Sequence, residues 1–231
     1  MREYYGRTIN LIGDDGFEKL NKSKVAIFGV GGVGSFATEA IARSGVGNIT
    51  IIDGDVIEKS NINRQLLATI ENVGEPKTKV MAERIKKIAP FAKVTALQGF
   101  YPNIDVNLAE FDFIIDAIDD VKAKCELIVN ANKLNIPIIS SMGAGNRLCP
   151  ELFEIADIYK TQNDPLARIM RKKLKILGVK SLPVVYSKEI PVNVKDNRII
   201  GSISFVPGAA GLIAASYVIR ELLKRGGEGL A

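Results

Sequence analysis

Histidine and tryptophan are missing from this chain of 231 residues, and only two cysteines are present. Without histidine, the chain lacks the commonest general base of enzymes. A structural zinc site needs about four Cys or His ligands, which Cys125 and Cys149 cannot supply. These two cysteines form no CxxC pair, so we expect no disulfide framework and a reduced, cytoplasmic location. A nucleophilic role for Cys149 is disfavoured, because no histidine can activate its thiol.

Long apolar runs are missing as well. The first residues contain no apolar core of a signal peptide. No uninterrupted apolar stretch reaches the roughly 18 residues that a membrane-spanning helix needs. We therefore expect no membrane partner. The net charge of +5 permits a polyanionic partner but does not require one.

Apolar runs typical of buried strands alternate with amphipathic patterns up to about residue 141. Strands are predicted at 24–28, 48–53, 93–97, 111–116 and 136–141, and helices at 14–22, 33–44, 120–134 and from Pro76 onward. This order predicts an α/β fold with a Rossmann-like, doubly wound and mainly parallel sheet.

After residue 142 the segments become shorter, which predicts additional C-terminal strands and helices. A basic helix is predicted over 165–177, strands over 183–187 and 201–205, and an apolar helix over 207–224. The apolar helix is either buried in the fold or part of a subunit interface. Since no linker separates the two parts, we expect a single domain over residues 1–231.

A glycine-rich turn, GVGGVG, joins the first predicted strand to the helix that follows it. Its glycines are Gly29, Gly31, Gly32 and Gly34. Where Cβ atoms are missing, backbone N–H groups at a helix N-terminus can approach phosphate oxygens. The alternative is a tight turn without a ligand, and the turn alone does not identify the nucleotide. No GxxxxGK[ST] motif is present, which argues against a P-loop enzyme.

Two acidic residues follow the second predicted strand. Asp53 lies 24 positions after Gly29, a spacing that suits a carboxylate on a ribose hydroxyl of NAD or ATP. Asp55 could be a ligand or a turn residue.

Two cations favour ATP over NAD. Arg64 lies in the polar loop SNINRQ, and an enzyme that cleaves ATP needs cations near the leaving pyrophosphate. Lys77 lies in the first turn of a helix, where the dipole disfavours a cation unless a phosphate is close. The alternatives are a solvated loop and a flexible surface lysine.

Acidic residues also follow the predicted strand FDFIID. Asp116 and Asp119 lie at the carboxyl edge of the sheet, where one of them could hold Mg²⁺ against ATP phosphates. Asp119 could instead be the N-cap of the next helix.

The helix over 165–177 carries a basic face, which is either a solvated surface or a contact for a nucleic-acid backbone. Its cations are Arg168, Arg171, Lys172, Lys173 and Lys175.

Taken in order, GVGGVG, IIDGDV, SNINRQ, GEPK and DAIDD resemble the MoeB/ThiF-like family of ubiquitin-activating-type adenylating enzymes over about residues 5–145. The resemblance implies ATP and Mg²⁺ as cofactors and a homodimer. It places the ribose on Asp53 and the metal on Asp119. It implies that Arg7 enters the ATP site of the neighbouring subunit. The residues that it places around the phosphates are Asn61, Arg64, Gln65 and Lys77.

The second part of the chain differs from the sulfur-carrier activators of that family, which usually carry paired CxxC zinc ligands. The segments SSMGAGNRLCPELFEIADIYKT, DPLARIMRKKLK and GSISFVPGAAGL resemble instead the tRNA threonylcarbamoyladenosine dehydratase group (TcdA/CsdL). This resemblance implies that the carboxylate of a threonylcarbamoyl side chain on a tRNA adenosine is adenylated and then cyclised. It divides the chain into a nucleotide-binding half, 1–145, and a half for substrate and dimer contacts, 146–231.

The implied reaction suits the composition. A carboxylate is already ionised near pH 7 and needs no base in order to attack the α-phosphate of ATP. Arg7, Arg64, Lys77 and Mg²⁺ could position and neutralise the two anions without histidine.

Three alternatives stay open at this point. They are activation of a ThiS/MoaD-like sulfur carrier, an NAD(P)-dependent oxidoreductase, and a non-catalytic RNA-binding protein. A sulfur-transfer partner protein also stays open.

Overall fold

The structure is a computed structural model that describes residues 2–192 and 200–224. It contains a seven-stranded sheet with the order β3-β2-β1-β4-β5-β7-β6. The strands are β1 Lys24–Phe28, β2 Asn48–Asp53, β3 Lys93–Gln98, β4 Phe113–Asp116, β5 Ile138–Ser141, β6 Phe153–Asp157 and β7 Pro183–Ser187. The helices are α1 Arg2–Lys22, α2 Gly32–Arg43, α3 Lys77–Ile88, α4 Val121–Lys133, α5 Pro165–Ile176 and α6 Phe205–Lys224.

The sheet is parallel except for the pair of β6 and β7. The chain runs outward from β1 through β2 to β3, then returns to β4 on the other side of β1. This reversal creates a crevice at the carboxyl ends of β1 and β4, where doubly wound sheets bind ligands. The predicted mainly parallel, doubly wound sheet is therefore confirmed.

Two apolar cores cover the two faces of the sheet. Alternate residues of a strand face opposite sides, so β1 directs Val25 and Ile27 to one core and Ala26 and Phe28 to the other. Helices α2, α3 and α6 contribute to the first core, while α4 and α5 contribute to the second. Both faces of β1 are buried, which explains its continuous apolar run.

Three parts of the chain depart clearly from the predicted elements. The predicted strand over 201–205 is wrong, because α6 begins at Phe205 and tolerates Pro207 in its first turn, where a missing N–H costs little. Strand β6, which pairs antiparallel with β7 at the sheet edge, was not predicted. Helix α1 starts well before residue 14 and is broken at Gly13, whose φ of 74° and ψ of 168° are not helical.

Helix α6 is long and apolar enough to cross a membrane, but 56% of its most apolar window is buried inside the protein. A Cβ on Gly211 would lie 2.3 Å from the Val33 carbonyl oxygen, so glycine allows α6 to approach α2 closely. Burial in the fold therefore accounts for most of this helix. Phe205 and Leu212 stay exposed on its outer side.

Candidate active site at the carboxyl edge of the sheet

A cavity of about 960 Å³ opens at the crevice between β1 and β4. Its volume lies at the upper end of the range for small-molecule sites. The predicted site residues that line it are Gly29, Gly31, Gly32, Asp53, Asp55, Arg64, Gln65, Lys77 and Asp119. Residues far apart in the sequence therefore meet around one space.

The turn after β1 needs glycine at two positions for packing. Gly29 has a φ of 87°, and a Cβ there would lie 2.6 Å from the Ala117 carbonyl oxygen. A Cβ on Gly34 would lie 1.8 Å from the Gly29 carbonyl oxygen. Gly34 is buried and does not line the cavity. These two glycines shape the turn.

The other two glycines line the cavity at the N-terminus of α2. Gly31 is the N-cap of this helix, no side chain caps it, and no acidic residue lies in its first turn. A Cβ on Gly31 would meet only the Gln65 amide nitrogen, at 3.8 Å. The first N–H groups of a helix have no intrahelical acceptor. This end of the cavity therefore offers both the space and the donors that a phosphate needs.

Asp53 has both carboxylate oxygens tied to the backbone. The Val30 N–H donates to one oxygen at 2.6 Å and the Asp55 N–H to the other at 2.8 Å. Burial raises the pKa of Asp53, while these amide donors and the nearby Lys77 act in the opposite direction. The carboxyl group is held in place at the cavity wall.

Lys77 begins α3 and is only 5% exposed, so it is not a flexible surface lysine. Its Nζ lies 2.8 Å from an Asp55 carboxylate oxygen, and its N–H donates to the Asp55 carbonyl oxygen at 3.1 Å. A bridge between Val56 and Pro76 joins the two segments. The Asp55 side chain is half-exposed, so a phosphate at the cavity can compete with it for this cation.

The loop that contains SNINRQ forms another wall. Arg64 donates from Nη1 to the Ser60 carbonyl oxygen at 2.7 Å and to Asn63 Oδ1 at 3.0 Å. Gln65 is buried, and its Oε1 has no hydrogen-bond partner among the described residues. A buried oxygen without a partner is costly, and a ligand in the cavity would satisfy it.

Asn61 does not line the cavity. It is buried in its own turn, where its Oδ1 accepts the Glu58 N–H at 3.0 Å. The structure therefore places Asn61 behind the loop that carries Arg64 and Gln65, and a direct phosphate contact stays a prediction.

The acidic residues at the end of β4 and in the turn after it have different surroundings. Asp116 is fully buried in an ion pair with Lys124, at 2.9 Å. Asp120 is the N-cap of α4, where it accepts the Ala123 N–H at 2.7 Å. Asp119 is exposed at the cavity and has no hydrogen-bond partner in the part of the chain that the structure describes. The N-cap alternative for Asp119 is therefore wrong.

Asp119 also fits a magnesium ion. No group of three or more His, Cys, Asp or Glu side chains with the geometry of a metal site exists within the described ranges. Mg²⁺ needs no such cage, because one or two carboxylates, substrate phosphates and waters usually hold it. A carboxylate without a partner among the described residues, in the same cavity as the open helix N-terminus, meets that requirement.

Two parts of the cavity wall were not predicted from the sequence. Phe100, 58% exposed, lines the cavity and touches the Gly54 position. At the other end lies Arg147, 3% exposed, which donates to the Gly143 carbonyl oxygen at 3.0 Å and to Asp164 at 3.2 Å. The position of Arg147 soon after β5, at the binding edge of the sheet, was the available signal.

Several predicted residues lie outside the cavity. Arg7 is exposed on α1, and Arg168, Lys172, Lys173 and Lys175 are exposed on α5. The fifth cation of that helix, Arg171, is partly buried and donates to Thr161 Oγ1 at 2.6 Å. Because Pro165 at the start of α5 lines the cavity, the basic face begins next to it.

Both cysteines are free thiols. Burial, together with the Glu189 and Glu151 carboxylates, raises the pKa of Cys149. A raised pKa keeps the thiol protonated and unreactive. The direction of this pKa shift agrees with the prediction that Cys149 is not a nucleophile.

Comparison with known proteins gives consistent matches. The family model described as the ThiF family matches residues 5–231. A tRNA threonylcarbamoyladenosine dehydratase of Bacillus subtilis is 41% identical, over 97% of this chain and 96% of that protein. The crystal structure of the E. coli tRNA N6-threonylcarbamoyladenosine dehydratase in complex with ATP is 34% identical, with a TM-score of 0.88 over 96% of this chain and 94% of that one. A sulfur carrier protein ThiS adenylyltransferase of E. coli, 35% identical, matches only 62% of this chain and 60% of that protein.

Proposed function

Because this chain belongs to the ThiF family, we propose that it is an ATP-dependent tRNA threonylcarbamoyladenosine dehydratase. It adenylates the carboxylate of the threonylcarbamoyl group and drives cyclisation of that side chain. The match to the Bacillus subtilis dehydratase covers 97% of the chain, whereas the match to the ThiS activator covers 62% of it. Activation of a sulfur carrier and oxidoreduction with NAD(P) are therefore not favoured.

The observation that carries this proposal is the continuity of the cavity. One space joins the open N-terminus of α2 to the loop around Arg147 and the start of α5. A nucleotide on the glycine turn leaves the second end free for an acceptor. A large acceptor such as tRNA would enter from the side where α5 presents its cations.

In the first step, an oxygen of the substrate carboxylate attacks the α-phosphorus of ATP. The bond from the α-phosphorus to the bridging oxygen breaks, and pyrophosphate leaves. The N–H groups at Gly31 and Gly32 hold the phosphates, while Arg64 and Lys77 neutralise the charge that develops on the leaving group. Lys77 does so by exchanging its Asp55 partner for a phosphate oxygen.

In the second step, a nucleophilic atom of the same side chain displaces AMP from the mixed anhydride and closes a ring. The proton of that atom is released, so the sum of both steps is the loss of water at the expense of ATP. The contribution of the protein is to hold the two reacting anions together and to exclude water. Neither step needs a histidine.

We propose Mg²⁺ as the metal, held by Asp119. When bound, it neutralises phosphate oxygens and orients the pyrophosphate. Asp53 holds the ribose. Asn61 and Gln65 support the phosphate end, Asn61 by its buried position in the loop and Gln65 through its side-chain N–H₂ group, which is the donor that phosphate oxygens need.

We also propose a homodimer in which Arg7 reaches the partner subunit's cavity. Its exposed position on α1, outside the cavity of its own chain, supports this arrangement. The loop that contains Asn63 and the segment that contains Ser202 are joined, because Asn63 Nδ2 donates to the Ser202 carbonyl oxygen at 3.0 Å. Apolar side chains are exposed on and next to both segments. These side chains are Ile62, Ile203, Phe205 and Leu212. Exposed apolar side chains on neighbouring segments are available for a subunit contact.

The RNA surface is proposed on α5, with Arg168, Lys172, Lys173 and Lys175 facing outward. Arg171 has part of its guanidinium occupied by Thr161 and adds charge to the same helix. A tRNA substrate and two free thiols support a cytoplasmic location. A sulfur-transfer partner protein stays a prediction.

The proposal is tested by incubating the protein with ATP, Mg²⁺ and threonylcarbamoyl-modified tRNA, and then measuring the mass of the released nucleoside. We expect the loss of one water mass and the formation of AMP and pyrophosphate. A Lys77→Met variant should give little product. ATP–pyrophosphate exchange with a sulfur carrier but not with modified tRNA would favour the rival activity. A folded, ATP-binding protein that leaves the nucleoside mass unchanged would contradict the dehydratase proposal.

A further inference from the structure

The turn between β4 and α4 contains a fully buried ion pair that the reaction scheme does not use. Asp116 and Lys124 have no exposed side-chain surface, and Lys124 Nζ lies 2.9 Å from Asp116 Oδ2. Ser140 Oγ donates to the same oxygen at 2.6 Å. Removing two charges from water costs more than their attraction usually returns. A buried pair of this kind is therefore weak evidence for stability and needs another explanation.

The hydrogen bonds of the pair lead to the backbone beside Asp119. Lys124 Nζ donates to the Ile118 carbonyl oxygen at 3.0 Å, and the Ile118 N–H donates to Asp116 Oδ1 at 3.1 Å. Both polar groups of the Ile118 backbone are thus held by the ion pair. Ala117 is fixed as well, because its N–H donates to the Phe28 carbonyl oxygen at 2.8 Å.

The same turn is fixed at its other end by α4. Asp120 caps this helix through the Ala123 N–H, and the Lys124 N–H donates to the Asp120 carbonyl oxygen at 3.0 Å. Residues on both sides of Asp119 are therefore immobilised, while its own carboxylate faces the cavity without a partner among the described residues. A rigid backbone under a free carboxylate fits a group that must meet its ligand in one geometry.

We propose that Lys124 and Asp116 are positioning residues that hold Asp119 toward the phosphates of ATP. This inference rests on the proposed function, because it assigns the metal-binding carboxylate to Asp119. The pair acts through the Ile118 backbone and touches neither nucleotide nor metal.

The test uses the double variant Asp116→Leu/Lys124→Met, because leucine and methionine remove both hydrogen bonds to the Ile118 backbone, whereas a single substitution would leave an unpaired buried charge and endanger folding. Ile128→Ala is the matched control, since Ile128 is fully buried on the same helix and away from the turn. ATP binding is measured by calorimetry with and without Mg²⁺. Amide hydrogen exchange is followed at Ile118 and Asp119.

We expect the double variant to lose about tenfold of the Mg²⁺-dependent gain in ATP affinity, while affinity without Mg²⁺ changes less than about twofold. Exchange at Ile118, whose N–H donates to Asp116, should accelerate by about tenfold or more. In an Asp119→Ala background the double substitution should cause no further loss, because the group that it positions is absent. The Ile128→Ala variant should keep the Mg²⁺-dependent gain.

Distinct outcomes separate the inference from the proposed function. If the wild-type protein gains no ATP affinity from Mg²⁺, both are overturned. If the wild type gains it and the double variant keeps it, the positioning role alone is overturned. Additive losses with Asp119→Ala, or an equal loss in Ile128→Ala, would assign the ion pair to general stability and would also overturn the inference.

Discussion

At the scale of single residues, the four glycines of the turn after β1 occur there for two different structural reasons. Gly29 and Gly34 lie where a Cβ would collide with backbone oxygens. Gly31 and Gly32 line the cavity at the N-terminus of α2, and a Cβ on Gly32 would lie 3.1 Å from Pro207 Cβ. A sequence motif treats these positions alike, but the surroundings of each Cβ position separate Gly29 and Gly34, which meet backbone atoms, from Gly31, which faces open space.

This difference predicts opposite effects of the same substitution. Gly34→Ala should lower the thermal midpoint strongly, because its Cβ would lie 1.8 Å from the Gly29 carbonyl oxygen. Gly31→Ala should fold, since its Cβ meets only the Gln65 amide nitrogen, at 3.8 Å. It should nevertheless weaken ATP binding by about tenfold or more, because the methyl group occupies the approach of a phosphate to the helix N-terminus. Thermal unfolding and ATP titration of both variants check this; normal ATP affinity in folded Gly31→Ala would contradict it.

The second prediction for a single residue concerns Lys77. Lys77→Met should lower the rate of ATP–pyrophosphate exchange by about 10²- to 10³-fold, as loss of one preorganised charge-stabilising group typically does. The thermal midpoint should change little, because the Asp55 partner is half-exposed. Lys79→Met is the matched control on the same helix, where the exposed Lys79 pairs with Glu75. Equal exchange rates in the two variants would remove Lys77 from the reaction.

Most of the residues that were predicted from the sequence as a site line the cavity, because parallel strands bring their carboxyl ends to one edge. Sequence reasoning could not decide whether Asp119 or Asp120 is the N-cap of α4, because this depends on the residue at which α4 begins. Nor could it show that the Gln65 side-chain oxygen lacks a hydrogen-bond partner among the described residues, or that Lys77 is buried. Both depend on the packing of segments that are distant in the sequence.

At the scale of elements, the sequence predicted strands and helices best where burial was complete. The strands β1 and β4 contain continuous apolar runs that stand out from their surroundings. Strand β6 did not stand out, because an edge strand with Glu154 and Asp157 has a mixed pattern and is defined by its partner β7. The segment 201–205 has an alternating pattern but lies next to the start of α6, and the helix includes its last residue.

The pair of β6 and β7 predicts a pH dependence of stability. Tyr186 on β7 is buried, and its hydroxyl donates to Glu154 Oε1 at 2.6 Å. Burial and the Glu154 carboxylate raise the pKa of Tyr186 to about 12. The folded state therefore favours the neutral hydroxyl. This contribution to the free energy of unfolding is fully present below the ordinary tyrosine pKa of about 10 and is lost as the pH approaches about 12.

The measurement is the difference in free energy of unfolding between the wild type and Tyr186→Phe at several pH values. The difference should be constant below pH about 9.5 and should shrink between about 10 and 12, where the unfolded-state phenol ionises first. Comparing the two proteins at each pH cancels the titration of the lysines. A difference that stays constant up to pH about 12 would show that this hydroxyl is not coupled to folding.

The prediction about tRNA binding concerns helix α5. Lys172→Glu/Lys175→Glu should weaken tRNA binding and reduce the slope of log affinity against log salt by about one unit for each phosphate that the helix no longer neutralises. Lys86→Glu/Lys87→Glu on α3 changes the net charge equally on another exposed surface and is the matched control. Equal weakening in both variants would mean that only the total charge matters, and that α5 is not the RNA surface.

At the scale of the whole molecule, the cavity is assembled from both parts of the chain. The glycine turn, Lys77 and Asp119 come from the first 145 residues, while Arg147 and Pro165 come from the remainder. The sheet joins the two parts, because β5 pairs with β7 in parallel. The proposed site nevertheless includes Arg7, which its own cavity does not contain, so the complete site would require a second copy of the chain.

Mixing inactive subunits tests this directly. Arg7→Ala subunits keep Asp119 and Lys77, while Asp119→Ala subunits keep Arg7. If each site takes Arg7 from its partner, a mixed dimer contains one complete site and one site with both defects. Random exchange at equal amounts makes half of the dimers mixed, so activity should recover to about a quarter of the wild-type value.

The control mixes Asp119→Ala with Lys77→Met subunits. Both substitutions affect residues that line one chain's own cavity, so no mixed dimer contains a complete site and no recovery is expected. Equal exchange of subunits is checked by tagging one variant and measuring the fraction of mixed dimers. Absence of recovery in the Arg7→Ala mixture, with mixed dimers present, would place Arg7 in its own subunit or outside the reaction. Absence of any dimer would leave each chain with the cavity that it forms alone, and the proposal of a shared site would be wrong.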